Sequence, residues 1–249
     1  MDDLTGRHAL VTGGGTGIGR AIAEALRDAG AKVTVTGRRA DVLAEVGGCL
    51  AVPMDVAEEA SVTEGVARAQ GQNGPVHICV ANAGVASGAS LARTDAAMWR
   101  QVMAINLDGC FHIFRACLPD MLSEGWGRAI AISSIAGLKG LKGAPAYTAS
   151  KHGMIGLVRG VAADLAGKPV TANAICPGYV DTDIVTGNTT RIMERTGMSQ
   201  ADARNVMVGA NPHRRLIEAD EVAAAALWLC GDGARSVNGQ AIQIAGGEF

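Results

Sequence analysis

Long apolar segments are missing from this sequence of 249 residues, and its charge is nearly balanced. No apolar run approaches the ~18 residues that a membrane-spanning helix needs. The start of the chain has no basic region followed by an apolar core, as a secretory signal would. A net charge of −2, with both signs interspersed, gives no electrostatic reason to expect nucleic acid or an anionic membrane as partner. We therefore expect a soluble, cytoplasmic protein that binds neither.

Paired cysteines are missing as well. The six cysteines form no Cys-x-x-Cys pair, and most of them lie within apolar runs such as residues 77–81. Because free cysteine is among the most buried residue types, we expect all six to be buried, reduced and structural. Asp181, Asp183 and His213 have no metal-ligand spacing, so no metal site is expected.

Short β-branched runs alternate with longer helical patterns along the whole chain, and no repeat, low-complexity tract or linker interrupts them. Seven runs bounded by Gly, Pro or Asn are typical of strands. With helices between them, they predict one α/β domain over residues 1–249: a doubly wound, Rossmann-type fold whose seven-stranded parallel sheet has helices on both faces. The predicted strands are residues 9–12, 32–36, 50–53, 77–81, 129–133, 170–175 and 241–244.

The longest helical candidates cover residues 95–121 and 147–165, and a shorter one covers residues 18–29. Residues 183–215 fit the alternation poorly, because they are polar and rich in Thr, Asn, Met and Arg. An excursion of this length in a compact domain is usually a lid or a binding loop with short helices of its own. We expect it to be a substrate lid.

Tyr147 and Lys151 are the first residues that carry chemistry. They lie four positions apart, and Ser134 lies upstream of them at the end of an apolar run. In a helix this spacing puts the phenol and the ammonium group on one face, where the cation favours phenolate and lowers the pKa of the tyrosine. A tyrosine tuned in this way serves as an acid or base near neutral pH.

A glycine cluster follows the first predicted strand. Glycines permit positive φ and let backbone N–H groups approach a pyrophosphate, while the N-terminus of the following helix adds favourable partial charge. The spacing is Thr-Gly-x-x-x-Gly-x-Gly and not the standard dinucleotide fingerprint, so an ordinary glycine-rich turn is the alternative. A phosphate cradle together with a proton donor suggests redox chemistry at a carbonyl. The cluster is Thr12, Gly13, Gly14, Gly15, Thr16, Gly17, Ile18 and Gly19.

These motifs, taken together, resemble the short-chain dehydrogenase/reductase family. Within it the chain looks most similar to bacterial β-ketoacyl reductases, polyketide ketoreductases and 3-hydroxybutyrate or 3-hydroxyacyl-CoA dehydrogenases. The resemblance implies an NAD(P)(H)-dependent oxidoreductase that interconverts a ketone and a secondary alcohol, and a homotetramer. The motifs occur in the family's order: the glycine cluster, Asn82-Ala83-Gly84, Asn106, Ser134, Tyr147 to Lys151, and Pro177-Gly178-Tyr179-Val180-Asp181-Thr182.

The resemblance also implies a role for each site residue. Tyr147 would exchange the proton with the carbonyl or alcohol oxygen, and Lys151 would lower its pKa and hydrogen-bond the nicotinamide ribose. Ser134 would hold the substrate oxygen, and Asn106 would keep a water beneath Lys151 in a proton path. Asp55 would contact adenine. The implied cofactor-binding set is Gly13, Gly15, Thr16, Gly17, Ile18, Gly19, Asp55, Val56, Asn82, Ala83, Gly84, Tyr147, Lys151, Pro177, Gly178, Val180 and Thr182.

The choice of nicotinamide depends on the end of the second predicted strand. NAD-selective relatives usually have Asp there, which binds the ribose hydroxyls and repels a 2′-phosphate. Gly37 occupies that place here, and Arg38 with Arg39 could form charge-assisted hydrogen bonds to the phosphate. We expect NADP(H) to be favoured over NAD(H). The alternative is that both arginines are solvated at a helix start.

The substrate is the least determined part of the prediction. Five cations lie near the expected pocket and could receive the phosphate of a CoA or acyl-carrier-protein (ACP) thioester, or could be solvated surface charges. A 3-oxo/3-hydroxyacyl thioester is the leading expectation. A dehydrogenase of a free hydroxy acid or other secondary alcohol, and a non-catalytic cofactor-binding regulator, are the alternatives. The cations are Lys139, Lys142, Arg191, Arg195 and Arg204.

Overall fold

Seven parallel strands form one sheet at the centre of the protein. The computed structural model describes residues 3–248, without the side chains of residues 183, 184, 191 and 195. The strand order is β3-β2-β1-β4-β5-β6-β7, and every neighbouring pair is parallel. This confirms the predicted doubly wound sheet. The strands are β1 (His8–Thr12), β2 (Lys32–Gly37), β3 (Leu50–Pro53), β4 (Ile78–Ala81), β5 (Gly127–Ile132), β6 (Val170–Pro177) and β7 (Ala241–Ile244).

Helices cover both faces of the sheet, as the sequence predicts. Short 3₁₀ turns lie between some of these elements, and the one that follows β5 covers Ile135–Gly137. The α-helices in the described part of the chain are α1 (Gly17–Asp28), α2 (Ala40–Ala44), α3 (Glu59–Asn73), α4 (Ala96–Met103), α5 (Gly109–Ser123), α6 (Pro145–Asp164), α7 (Asp183–Thr196), α8 (Gln200–Ala210) and α9 (Ala219–Cys230).

Alternate strand residues supply two separate cores. Leu10 and Cys79 pack with α3, α5 and α6 on one face. Val11 and Val80 pack with α1, α2 and α9 on the other. Because both sides of each central strand are buried, these strands are apolar at nearly every position, as parallel sheets require. Cys49 is only half-buried, so the prediction that all six cysteines are buried is wrong for this one, which lies outside the strands.

The predicted helix at residues 95–121 is not one regular helix. α4 and α5 are joined by a π-helical turn, Ala104–Asp108, which contains Asn106. A π turn inserts one extra residue into the helical repeat and occurs frequently at functional sites. The insertion places Asn106 in the protein interior, where it is fully buried.

The direction of winding reverses between β1 and β4. Strands β2 and β3 lie on one side of β1, while β4 to β7 continue on the other. In open α/β sheets the crevice at the carboxyl ends of the strands, at such a switch point, is the usual place for a ligand. The glycine cluster follows β1 and Asn82 follows β4, so both border this crevice.

Candidate functional site

The turn between β1 and α1 has a shape that only glycine permits. Gly13 and Gly17 have φ values of +61° and +51°, in the left-handed region. A Cβ atom at Gly19 would lie 2.3 Å from the carbonyl oxygen of Gly13. The first turn of α1 is therefore packed directly against the preceding loop, and its backbone is open to a ligand at the helix N-terminus.

A hydrogen-bond network locks this turn to the loop after β4. The side-chain Nδ2 of Asn82 donates to the carbonyls of Thr12 (2.9 Å) and Gly13 (3.2 Å). The Thr12 hydroxyl oxygen accepts the backbone N–H groups of Asn82 (2.9 Å) and Ala83 (3.0 Å). The two loops therefore move together. Between them lies a cleft lined by Gly13, Thr16, Gly17, Ile18, Asn82, Ala83, Gly84 and Thr182.

A second cavity, of about 240 Å³, continues this cleft beyond the ends of β2 and β3. Asp55 lies there and accepts the backbone N–H of Ala57 through one carboxylate oxygen (3.0 Å). The Thr36 hydroxyl is buried and has no hydrogen-bond partner among the described residues. An orphaned hydroxyl beside a carboxylate suits a polar ligand. The predicted residues that line this cavity are Gly13, Gly15, Thr16, Arg38, Arg39, Asp55, Val56, Ala83 and Gly84.

Arg38 and Arg39 lie at the outer edge of that cavity. Both are exposed, and neither forms an ion pair with any residue between 3 and 248 whose side chain the structure describes. α2 begins directly after Arg39, so the two guanidinium groups flank a helix start that carries partial positive charge. This corner of the crevice therefore carries the positive charge of two guanidinium groups, and Gly37 brings no carboxylate to it, although Asp41 lies in the first turn of α2.

The three residues predicted to act on the substrate converge at the carboxyl end of β5. Ser134 follows β5 and accepts the backbone N–H of Ala136 (3.1 Å), which caps the 3₁₀ turn. Tyr147 lies in the first turn of α6 and Lys151 one turn later. The Lys151 Nζ lies 5.8 Å from the centroid of the Tyr147 ring. The predicted shared helix face is thus present.

Lys151 is held by the backbone beneath this site. Its side chain is buried, and Nζ donates to the carbonyl of Ile132 (2.8 Å). Burial lowers the pKa of Lys151 to about 8. Burial also raises the pKa of two nearby thiols, to about 12 for Cys110 and about 11 for Cys176, so both thiols stay neutral.

The predicted effect of Lys151 on the pKa of Tyr147 stays a prediction, because other groups set the direction of the shift in the polypeptide by itself. Burial of the phenol raises the pKa of Tyr147, and a hydrogen bond with Ser134 offsets this only in part. The phenol is therefore held in its protonated form.

Asn106 supports the site from behind. Its Nδ2 donates to the carbonyl of Val85 (3.0 Å) and to the Ser150 hydroxyl (3.0 Å), and its Oδ1 accepts the N–H of Val85 (2.8 Å). A Cβ atom at Gly84 would lie 3.2 Å from Asn106 Oδ1 and 3.7 Å from Lys151 Nζ. Asn106 therefore fixes the loop that passes over Lys151. Its role in a water path stays a prediction.

A third cavity, of about 410 Å³, opens in front of Tyr147. Ser134 and Tyr147 lie in its lining, and α7 of the predicted lid contributes Val185 and Asn188. Ile18 and Thr182 line both this cavity and the first cleft, at the glycine turn. Pro177, Gly178 and Val180, which were predicted to touch the cofactor, line this third cavity.

Comparison with known proteins agrees with this geometry. The family model described as short chain dehydrogenase matches residues 7–192. This chain belongs to the short-chain dehydrogenase family.

Three relatives illustrate the similarity. A D-beta-hydroxybutyrate dehydrogenase of Rhizobium meliloti (strain 1021) is 35% identical over 97% of this chain and 98% of its own. An acetoacetyl-CoA reductase of the same organism is 35% identical over 98% of both. A solved actinorhodin polyketide ketoreductase with NADPH superposes with a TM-score of 0.93 at 32% identity, and covers 99% of this chain and 98% of that one.

Family membership gives the reaction class. This short-chain dehydrogenase is an oxidoreductase that uses a nicotinamide cofactor to interconvert a ketone and a secondary alcohol. The glycine turn, the orphaned Thr36 hydroxyl and the unpaired arginines fit such a cofactor. Over residues 3–248 no helix has the length and apolarity to span a membrane, and no group of three acidic, histidine or cysteine side chains there could hold a metal ion.

The cations predicted near the pocket divide into three groups. Lys139 forms an ion pair with Glu248, and Arg204 forms one with Asp181. The side chains of Arg191 and Arg195 lie outside the described residues. Lys142 is exposed at the third cavity and forms no ion pair with a described side chain.

The sequence analysis missed two contributors to the site. Ser150 connects Asn106 to the start of α6, because its hydroxyl donates to the carbonyl of Tyr147 (2.8 Å). Glu248 reaches Lys139 from the segment that follows β7. Ser150 lies four residues from Ala146 and Met154 on α6, and this spacing of apolar residues could have indicated that Ser150 faces inward. No local feature of the sequence indicates that Glu248 meets Lys139.

Proposed function

We propose that this short-chain dehydrogenase reduces 3-oxoacyl thioesters to 3-hydroxyacyl thioesters with NADPH in the cytoplasm. One observation carries the choice of substrate. Among the described residues that line the cavity at Ser134 and Tyr147, Lys142 alone is charged, and it is exposed at the rim. A thioester is neutral near the reacting carbonyl and carries its phosphates far from it. That distribution of charge matches the cavity.

A dehydrogenase of a free 3-hydroxy acid is the second candidate, because the D-beta-hydroxybutyrate dehydrogenase relative matches this chain as well as the acetoacetyl-CoA reductase does. The carboxylate of a free acid lies two bonds from the reacting carbon. Among the described residues that line this cavity only Lys142, at the rim, is a cation, and burying an unpaired charge is costly. The cavity therefore favours the thioester.

In the proposed mechanism Ser134 and Tyr147 both act on the substrate oxygen. The bound cofactor supplies the hydride. Ser134 donates a hydrogen bond that strengthens as negative charge develops on the oxygen, and Tyr147 transfers its proton to that atom. Because the pKa of Tyr147 is raised, the phenol is protonated near neutral pH and has a proton to transfer. Lys151 holds the nicotinamide ribose, and Asn106 supports the loop above it.

The remaining predicted residues would hold the cofactor along the crevice. The glycine turn and the N-terminus of α1 bind the pyrophosphate, and Asp55 with Val56 borders the adenine. Arg38 and Arg39 bind the 2′-phosphate. Thr182, with Pro177, Gly178 and Val180, borders the nicotinamide where the cleft joins the substrate cavity. Residues 183–215, built from α7 and α8, serve as the lid.

We also propose a homotetramer. Three large aromatic side chains on α4, α5 and α9 are each more than a third exposed: Trp99, Phe111 and Trp228. Exposed apolar groups of this size often mark an interface between proteins, and we propose that the tetramer covers them. Light scattering at micromolar concentration measures this directly, and a monomer would contradict it.

A substrate comparison tests the proposed function. With NADPH, the purified protein should reduce acetoacetyl-CoA with a kcat/KM at least about tenfold higher than for acetoacetate, which corresponds to about 1.4 kcal/mol. The physical reason is that, among the described residues that line the substrate cavity, only Lys142 at the rim is charged. Absorbance at 340 nm gives both rates. A preference for the free acid would assign the chain to the second candidate, and no turnover of any ketone would contradict the proposal altogether.

A pair of tyrosine substitutions tests the assignment of the proton donor. Tyr147→Phe should lower kcat by about 10² to 10⁴, the usual contribution of a positioned acid, while NADPH still binds. Tyr179→Phe is the matched control, because Tyr179 lines the same cavity and has no assigned role. The kcat of the Tyr179→Phe variant should stay within a few-fold of that of the unmodified protein. A folded Tyr147→Phe variant with nearly normal kcat would disprove the mechanism.

Cofactor selectivity follows from Arg38. One well-formed charge-assisted contact to the 2′-phosphate contributes about 1.5 to 3 kcal/mol, so the Kd of NADPH should be about 10- to 150-fold lower than that of NADH. Arg38→Asp should reverse the order, because a carboxylate repels the phosphate. Fluorescence titration of both cofactors measures the ratio. Tighter binding of NADH by the unmodified protein would mean that Arg38 points away from the ribose.

A further inference from the structure

The segment after β7, residues 245–248, runs from the sheet towards the loop that precedes α6. There the carboxylate of Glu248 forms an ion pair with the ammonium group of Lys139. The side chain of Glu248 is only 19% exposed, and that of Lys139 is 33% exposed. Solvent therefore screens this pair less than an ordinary surface pair.

The path of this segment is fixed before it reaches Glu248. Ala245 is buried, and Gly246 has a φ of +62°. A Cβ atom at Gly246 would lie 2.5 Å from the ring of His213, and one at Gly247 would touch Pro212 (3.9 Å). The N–H of Glu248 donates to the carbonyl of Ala245 (3.3 Å) and closes a turn. The carboxylate is thus presented by a segment seated on the connection between α8 and α9.

The loop that Lys139 belongs to forms one wall of the substrate cavity. Leu141, Lys142, Gly143 and Ala144 all line it. Backbone bonds hold the start of the loop, where the N–H groups of Leu138 and Lys139 donate to the Ile135 carbonyl (2.9 and 3.0 Å). Beyond Lys139 the contacts are longer: Leu141 N–H donates to the Thr148 hydroxyl at 3.3 Å, and Ala144 N–H donates to the Leu141 carbonyl at 3.3 Å. Gly140 and Gly143 add backbone freedom on both sides of Leu141. A side-chain anchor at Lys139 therefore fixes the point from which this less tightly held part of the wall begins.

We propose that Glu248 is a positioning residue for the substrate: through Lys139 it holds the loop at residues 138–144 against the cavity. Ser134, Tyr147 and Lys151 are placed by β5 and α6 and do not depend on the pair. The cofactor cavities lie at β1 to β4, away from it. Loss of the pair should therefore weaken substrate binding and leave both kcat and cofactor binding nearly unchanged.

Kinetics of three variants test the positioning role, and this readout depends on the proposed thioester substrate. Glu248→Gln and Lys139→Gln should each raise the KM for acetoacetyl-CoA by roughly 2- to 5-fold, the range for a modest ion pair. The charge-swapped variant, Lys139→Glu with Glu248→Lys, should restore the KM of the unmodified protein. Glu24→Gln, which removes the Arg20–Glu24 pair on the surface of α1, is the control and should leave KM unchanged.

Hydrogen–deuterium exchange supplies a readout that needs no substrate. The amides of residues 138–144 should exchange faster in each single variant. In the charge-swapped variant they should exchange at the rate of the unmodified protein. Unchanged KM and unchanged deuterium exchange in the single variants would overturn the proposal. A charge-swapped variant that restores neither KM nor the deuterium exchange rate would also overturn it. If the loop exchanges faster but no thioester is reduced by the unmodified protein, the proposed function fails and the positioning role stands.

Discussion

The buried ammonium group of Lys151 is the constraint on which the rest of the site depends. Because the pKa of Lys151 is about 8 in the folded protein and 10.5 ordinarily, the unfolded chain binds more protons between these values. Stability therefore rises with pH through that window, and at neutral pH the buried charge costs about 3 kcal/mol. The carbonyl of Ile132, which accepts a hydrogen bond from the ammonium group, reduces this cost without removing it. A charge kept at such a cost favours a functional role for the residue.

The surrounding loops cover the ammonium group of Lys151 and are themselves held in place by hydrogen bonds. Thr12 and Asn82 tie the glycine turn to the end of β4, and Asn106 holds Val85 in the loop that passes over Lys151. These contacts use backbone groups that would otherwise be unsatisfied at the carboxyl ends of the strands. The same bonds that stabilise the crevice therefore give it a fixed shape before any ligand arrives, which is what cofactor binding requires.

The sequence predicts the sheet well because each strand is a short apolar run between glycines or prolines, and the site motifs lie at strand ends where parallel strands converge. It predicts poorly whatever depends on burial or distant contact. The π turn at Asn106 has the residue pattern of an ordinary helix. The raised pKa of Tyr147 reflects desolvation, which spacing cannot reveal. Glu248 meets Lys139 only after the whole sheet has formed.

A direct titration of Lys151 tests whether its charge is buried as the structure requires. Methyl labelling of the lysine amines, with Lys151→Met for assignment, lets NMR follow this group in the protein without cofactor. We predict a pKa of about 8 for Lys151, more than two units below its ordinary value of 10.5. An ordinary value would mean that solvent reaches the ammonium group, and would contradict the account of a desolvated charge held beneath Tyr147.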